Sequence, residues 1–249
     1  MIRSEPGLEI DGFLIGELLH AGGMAKIYKV SYADHRPEPF PMVIKVPLMR
    51  AGDGAENIIG FEIENQILQV LKGKHVPRFV ASGDLRHLPY LVMEHIEGKT
   101  LQEVMDLQRE SKTAFTHQQI VKFGAEMAKA IHALHLQNTC HLDLKPANVI
   151  WASGGHAVLL DYGLSCHAHY PDLLAEELRQ AVGSPTWISP EQVVGIRGDA
   201  RSDIFALGVI LYELATGELP FGNPVTKNGL RQRLWMDPTP PRVLNAQLP

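Results

Sequence analysis

Cysteine is scarce in this chain: among 249 residues only Cys140 and Cys166 occur. Two thiols cannot build a disulfide framework or a multi-cysteine zinc site, and they fit a reducing compartment. Long apolar runs are missing too. The longest lies between Asp203 and Glu213, far short of the roughly 20 residues a membrane-spanning helix needs. The stretch from Met1 to Leu19 is interrupted by Arg3, Glu5, Glu9, Asp11 and Glu17, so no signal peptide is expected. A soluble, cytoplasmic protein without a membrane segment is expected instead. Positive charge is not in excess, since 23 basic and 28 acidic side chains leave a net charge of −5. That balance argues against nucleic acid as a partner, because sequence-blind affinity for it comes from basic charge. Internal repeats and low-complexity segments are absent as well.

What remains is a globular composition. Apolar residues make up 45% and charged residues 20%, too apolar for a disordered chain. At roughly 150 residues per domain, the length allows one large domain or two lobes. The first hundred residues look strand-rich. Leu14 to Leu19 and Ile27 to Tyr32 flank a glycine turn and suggest a hairpin. Met42 to Val46, enclosed by Pro41 and Pro47, and Tyr90 to Glu94 read as further strands. Between them, Glu56 to Leu71 carries Ile59, Ile63, Ile67 and Val70 at helical spacing. After Gly98 the texture becomes helical. Thr116 followed by Gln119 is a capping-box pattern opening a helix through Ile120, Phe123, Met127, Ile131 and Leu134, which Asn138 can end. Asp203 to Leu214 is apolar around its circumference, as for a helix buried inside a lobe. The fold class is therefore α+β, with the connection between the two parts near Glu94 to Lys99.

The chemistry concentrates in His141-Leu142-Asp143-Leu144-Lys145-Pro146-Ala147-Asn148, followed 13 residues after Asn148 by Asp161-Tyr162-Gly163. An amide and a carboxylate oxygen near strand ends suit Mg²⁺, a hard cation. Asp143 can accept a proton from an alcohol, and Lys145 can neutralise a phosphate as that alcohol attacks. Taken singly, an Asp-x-Lys reads as surface and an Asp-Tyr-Gly as a turn; the ordered set is hard to explain that way.

This set resembles the protein-kinase catalytic loop and its magnesium-binding triplet. Further stations follow in order: Val43-Ile44-Lys45 like the phosphate-anchoring strand, Ser189-Pro190-Glu191 like the end of the activation segment, and Arg201-Ser202-Asp203 like the start of the central C-lobe helix. Gly22-Gly23-Met24-Ala25-Lys26-Ile27-Tyr28 and Gly183-Ser184-Pro185-Thr186-Trp187 resemble the eukaryote-like Ser/Thr kinases of bacteria. The resemblance covers nearly the whole chain. It implies a bilobal catalytic domain over residues 1–249, with an N-lobe to about 95, a C-lobe from about 96, and terminal helices apparently missing.

The resemblance also implies ATP and Mg²⁺ as cofactors and a protein Ser/Thr hydroxyl as acceptor. Asp143, Lys145 and Ser184 would be catalytic, and Asn148 and Asp161 would hold the metal. Gly22, Gly23, Ile27, Val43, Lys45, Glu64, Met93, Glu94, Ile96 and Ile150 would surround the nucleotide. Of the two acids that could partner Lys45, Glu62 shares a polar helix face with Asn65, Gln66 and Gln69. Glu64 shares its face with Ile67, Leu68 and Leu71, and an acid on an inward face needs a cation. Glu64 is the expected partner.

Three departures from the family pattern matter. His20 and Ala25 stand where the first and third glycines of the phosphate loop would be. Leu142 stands where many kinases carry an arginine that pairs with a phosphorylated activation segment, and leucine cannot bind phosphate. The segment Leu164 to Pro185 contains no threonine. Activity independent of activation-segment phosphorylation is the expectation. The third departure is the end of the chain, where no arginine partner for Glu191 is in view. A further sequence or a partner chain would complete the C-lobe. A catalytically impaired pseudokinase binding nucleotide or a partner stays open as the alternative, and a small-molecule phosphotransferase on the same fold is a third reading. His167/His169 and His132/His135 read as surface pairs for want of a third ligand. Cys166 reads as a partly buried, ordinary thiol, since no feature of the sequence argues for a low pKa.

Overall fold

A computed structural model of the chain describes residues 6–48, 55–84, 88–174, 183–224 and 227–249. The N-terminal strands β1 (Glu9–Ile10), β2 (Phe13–Ala21), β3 (Ala25–Tyr32) and β4 (Met42–Pro47) are followed by helix α1 (Ala55–Val70), then β5 (Phe79–Ser82) and β6 (Leu91–Glu94). They form one antiparallel sheet in the order β1-β2-β3-β4-β6-β5. Side chains alternate across a strand, and here both faces are covered. Met42, Ile44 and Val46 pack with Ile15, Tyr28, Val30, Tyr90 and Val92 on one face. Val43, Leu91 and Met93 face the other way, into a core that runs through Phe61, Ile67 and Leu68 of α1 to the helical part. By the same alternation Lys45 shares the face of Val43. It is a cation set into an apolar row.

The helical part comprises β7 (Gly98–Thr100), α2 (Leu101–Glu110), α3 (His117–His135), β8 (Thr139–Cys140), β9 (Val149–Ala152), β10 (Ala157–Leu159), β11 (Cys166–His167), α4 (Pro190–Val193), α5 (Ala200–Thr216), α6 (Lys227–Leu230) and α7 (Pro241–Leu244). The fold is thus α+β and bilobal. Thr116 caps α3 with the expected box, and Thr100 with Glu103 makes an equivalent box on α2. The connection expected near Glu94 to Lys99 is narrower in the structure. β6 runs to Glu94, and Gly98 and Lys99 already pair with Ala152 and Trp151 of β9. Gly98 adopts φ +159°, and a Cβ there would lie 2.3 Å from the Trp151 carbonyl oxygen. Only glycine lets the two backbones approach so closely.

Helix α5 is the post on which the segment from His141 to Asn148 hangs. Asp199 caps it, and the left-handed Gly217 ends it. Asp203, in its first turn, is fully buried. Its carboxylate accepts the backbone N–H of His141 (2.9 Å) and of Leu142 (2.8 Å) and lies 2.8 Å from His135 Nε2. Leu142 itself has φ +62°, a region costly for a branched side chain. Its N–H on Asp203 and its carbonyl on Gln192 Nε2 (2.9 Å) hold it there.

Beyond α5 the chain is built of short turns. The sequence leaves Glu191 without a cation, and in the structure Glu191 accepts a hydrogen bond from the Ser202 hydroxyl. Arg233, in a 3-10 turn at Arg231–Leu234, is buried and donates to the carbonyls of Pro185 (2.8 Å), Thr186 (3.3 Å), Leu230 (3.1 Å) and Ile188. Burial pushes its pKa down to about 10. A guanidinium with backbone acceptors therefore fastens the stretch before α4.

Asp203→Ala should lower unfolding free energy by about 3–5 kcal/mol, because it strands two buried N–H donors at once. Urea denaturation measures this; a loss below about 1 kcal/mol would show that the loop does not depend on α5.

Candidate active site

The two parts of the chain meet at three charged groups. Lys45 Nζ lies 2.6 Å from Glu64 Oε2 and 3.2 Å from Asp161 Oδ1. The side chains are 17%, 3% and 44% exposed respectively, so the pair with Glu64 is sealed while Asp161 opens to solvent. Helix α1 reaches this position because it packs directly on the segment after β10. A Cβ on Gly60 would sit 3.4 Å from the Gly163 carbonyl oxygen, and one on Gly163 would sit 3.2 Å from that of Gly60. Tyr162 is fully buried, its hydroxyl donates to the Leu159 carbonyl (3.0 Å), and its ring lies 5.3 Å from that of His141. Asp161 adopts φ +65°, a conformation the surrounding contacts must enforce.

These neighbours shift one another's acidity. Burial alone disfavours the Lys45 ammonium, but Glu64 and Asp161 outweigh it and hold its pKa above the lysine range. Burial raises the Glu64 carboxyl against the opposing pull of Lys45. Lys45, with help from Lys145, holds Asp161 below the ordinary carboxylate range.

Asp143 is gripped from several sides. Its Oδ1 accepts the Ser184 N–H at 2.8 Å. Its Oδ2 lies 2.7 Å from Lys145 Nζ and 3.3 Å from Asn148 Nδ2. Lys145 also donates to Ser184 Oγ at 2.9 Å, and Asn148 Nδ2 to the Asp143 carbonyl at 3.0 Å. With its amide nitrogen turned to Asp143, Asn148 keeps its amide oxygen as a possible ligand. Asn148 and Asp161 thus supply an oxygen donor set of the kind Mg²⁺ takes.

Of the other expected residues, Ile27, Val43 and Met93 share the sheet face of Lys45. Ile27 lies opposite Lys45 and Val43 opposite Met93 in the strand register. Ile150 of β9 lies opposite Thr100 of β7. Ile96 is half-buried in the passage after β6. Glu94 donates its N–H to the Arg78 carbonyl (2.9 Å), and its carboxylate pairs with the Arg78 guanidinium (2.9 Å); that N–H is not a free donor. Gly22 closes the β2–β3 turn by donating to the Ala25 carbonyl (3.0 Å). A Cβ on Gly22 would lie 3.3 Å from His20 Nε2, whereas Gly23 has open space.

Two clusters escape a reading of the sequence. Arg197 Nε pairs with Asp172 (2.7 Å), and its second nitrogen donates to the carbonyls of Leu164 (2.7 Å) and Ser165 (3.0 Å). It clamps the described part of the segment Leu164 to Pro185, of which residues 175–182 lie outside the description. The other cluster corrects the reading of His132/His135 as a surface pair. His135 is half-buried, and ligand atoms of His135, Cys140 and Asp203 lie within 4.8 Å of one another. Asp203 already serves the loop amides. No single residue signals either cluster, since each joins positions far apart in the chain.

Among known proteins, the family described as protein kinase domain matches residues 14–241. The probable serine/threonine-protein kinase CPE1738 of Clostridium perfringens is 27% identical over 228 residues, covering 92% of this chain and 32% of the relative. Serine/threonine-protein kinase PknB of Mycobacterium tuberculosis is 26% identical over 242 residues, 96% of this chain and 38% of its own. Serine/threonine-protein kinase pkn2 of Myxococcus xanthus is 30% identical over 239 residues, 94% and 28% respectively. The chain spans about a third of the length of the curated relatives it matches.

Lys45→Met should destabilise the fold by about 3–5 kcal/mol, because it leaves the Glu64 carboxylate buried and unpaired. Adding Glu64→Leu should restore most of the loss; a double variant no more stable than the single would refute the pairing argument. Asp161 carries a depressed pKa, so its contribution to stability is complete above the unfolded value of about 3.9 and fades as pH falls through the folded one. Asp161→Asn should therefore flatten the acid limb of a stability–pH curve, and an unchanged slope would count against the Lys45 contact.

Proposed function

The chain belongs to the protein kinase domain family, and on that premise we propose that it is an ATP-dependent serine/threonine protein kinase of the bacterial type. We also propose that it needs no phosphate on its activation segment. The observation that carries the reading is Asp143, held by Lys145, Ser184 and Asn148, with Asp161 paired to Lys45 and close enough to Lys145 to feel its charge. A partner-binding module has no chemical need for Lys45, Asp143, Asn148 and Asp161 together.

In this reading the chain positions reactants and supplies charge, which is most of what phosphoryl transfer requires. Lys45, steadied by Glu64, meets the phosphate tail of ATP. Ile27, Val43, Met93 and Ile150 enclose the adenine, with backbone groups of Glu94 and Ile96 at its edge. Gly22 and Gly23 let the turn backbone approach the phosphates. Asn148 and Asp161 would hold Mg²⁺, which supplies neutralisation of the phosphate charge when bound. Asp143 orients the acceptor hydroxyl and takes its proton as the oxygen bonds to the γ-phosphorus and the bond to the β–γ bridging oxygen breaks. Lys145 offsets charge on the transferring group. Ser184 keeps Lys145 and Asp143 aligned.

Independence from activation-segment phosphorylation is supported by what the segment's hydroxyls do. Ser165 is buried and donates to the His141 carbonyl (3.1 Å), and Ser184 is engaged with Lys145. Tyr170 is the remaining hydroxyl of Leu164 to Pro185. Leu142 is buried and presents no cation. The Asp172–Arg197 pair holds the described part of the segment by a charge contact that needs no added phosphate.

Incubation with Mg·ATP and a generic protein substrate should place phosphate on serine or threonine. Asp143→Asn should cut that rate by about 10²–10⁴-fold, assayed at a temperature where the variant is folded. Nucleotide binding with no transfer by the wild-type chain would overturn the proposal in favour of a pseudokinase, and transfer only to a small alcohol would point to a different substrate class. Phosphatase treatment should leave the activity intact; its loss would disprove phosphate independence.

A further inference from the structure

The fold sets the chain's only two cysteines directly against each other. Strands β8 and β11 are two residues long and pair antiparallel, with Cys166 opposite Cys140 and His167 opposite Thr139. Opposed residues of such a pair have Cα atoms about 4.5 or 5.5 Å apart, and both values fall within the roughly 4.4–6.8 Å that a disulfide spans. The two side chains are close enough for each thiol to shift the acidity of the other. Neither cysteine is sealed from solvent, since both are half-buried.

The pair is chemically unequal, which corrects the reading of Cys166 as an ordinary thiol. The neighbouring Cys140, aided by the Arg197 guanidinium, outweighs burial and lowers the Cys166 pKa from the ordinary thiol value. Cys140 is pushed well above the thiol range by the neighbouring Cys166 and by burial. Of the two sulfurs, Cys166 is the one whose surroundings favour the thiolate, and Cys140 lies directly opposite it as the second thiol. A low-pKa, accessible cysteine next to a second one is the arrangement of a redox site.

We propose that Cys166 and Cys140 form a reversible redox site, in which a hydroperoxide oxidises Cys166 and Cys140 resolves it into an intrachain disulfide. In the first step the Cys166 thiolate attacks a peroxide oxygen. The O–O bond breaks, Cys166 becomes a sulfenic acid, and the departing oxygen takes a proton to leave as water or an alcohol. In the second step the Cys140 sulfur attacks the Cys166 sulfur. The S–O bond breaks, hydroxide leaves with the Cys140 proton as water, and the disulfide forms. Two electrons pass from the thiols to the peroxide. A dithiol reverses the change by two exchanges, becoming a disulfide itself. The bond ties the activation segment, five residues after Asp161, to the strand just before His141. It does not depend on the kinase reading, and its test is read by mass.

The full chain is treated with hydrogen peroxide at neutral pH, unfolded, alkylated and weighed intact. The expected product is lighter by about 2 Da, carries no alkyl group on either cysteine, yields one peptide linking Cys140 to Cys166, and reverts with dithiothreitol. Cys140→Ser should stop at a Cys166 sulfenic acid, heavier by about 16 Da and trapped by a 1,3-diketone probe. Cys166→Ser should stay unoxidised at the same dose. Two alkylatable cysteines after peroxide, equal oxidation of both single variants, or a disulfide found only between chains would each overturn the proposal. The wild-type masses decide it even if a serine variant folds poorly.

Discussion

The ammonium of Lys45 joins a strand, a helix and a segment more than a hundred residues away, because a cation in that apolar row needs acids on two sides. Glu64 answers it from α1 and Asp161 from the stretch after β10. The two acids have different surroundings, one sealed and one facing solvent. The sealed pair fixes the helix against the sheet, and the open carboxylate stays able to take a further ligand. The Gly60–Gly163 approach follows from the same demand, since helix and segment must come close enough for both acids to reach one nitrogen.

The opposite side of the site is organised by charges that meet backbone. Asp203 carries the loop amides of His141 and Leu142, and so sets the path of the chain into Asp143. Arg197 and Arg233 do the complementary work on carbonyls, the first on the activation segment, the second on the stretch before α4. Buried charges satisfied by peptide groups hold irregular segments that have no ladder of their own. Loops rich in such contacts behave as parts of the scaffold, which suits a site that must keep Asp143 and Asp161 in fixed relation.

Periodicity made the larger elements legible. The hairpin, β4, α1 and α3 each have enough residues to show alternation or helical spacing, and the choice of Glu64 over Glu62 followed from which helix face was apolar. Strands β5, β7, β9, β10 and β11 have two to four residues, too few for a period to emerge, and are defined by their partners. The Thr100 box on α2 had the same signature as the one at Thr116 and was there to be read. Arg197 with Asp172 and Cys140 with Cys166 are contacts across 25 and 26 positions. Only tertiary structure brings them together, so no local pattern announces them.

Calorimetric titration of the intact chain with ATP tests the central claim most directly, with Mg²⁺ present and with the metal chelated, beside the Lys45→Met variant at a temperature where it is folded. The account predicts equimolar binding that weakens sharply when either Mg²⁺ or the ammonium is removed, since both act on the same phosphates. Binding that ignores chelation and the substitution alike, or no binding to the wild-type chain, would contradict it.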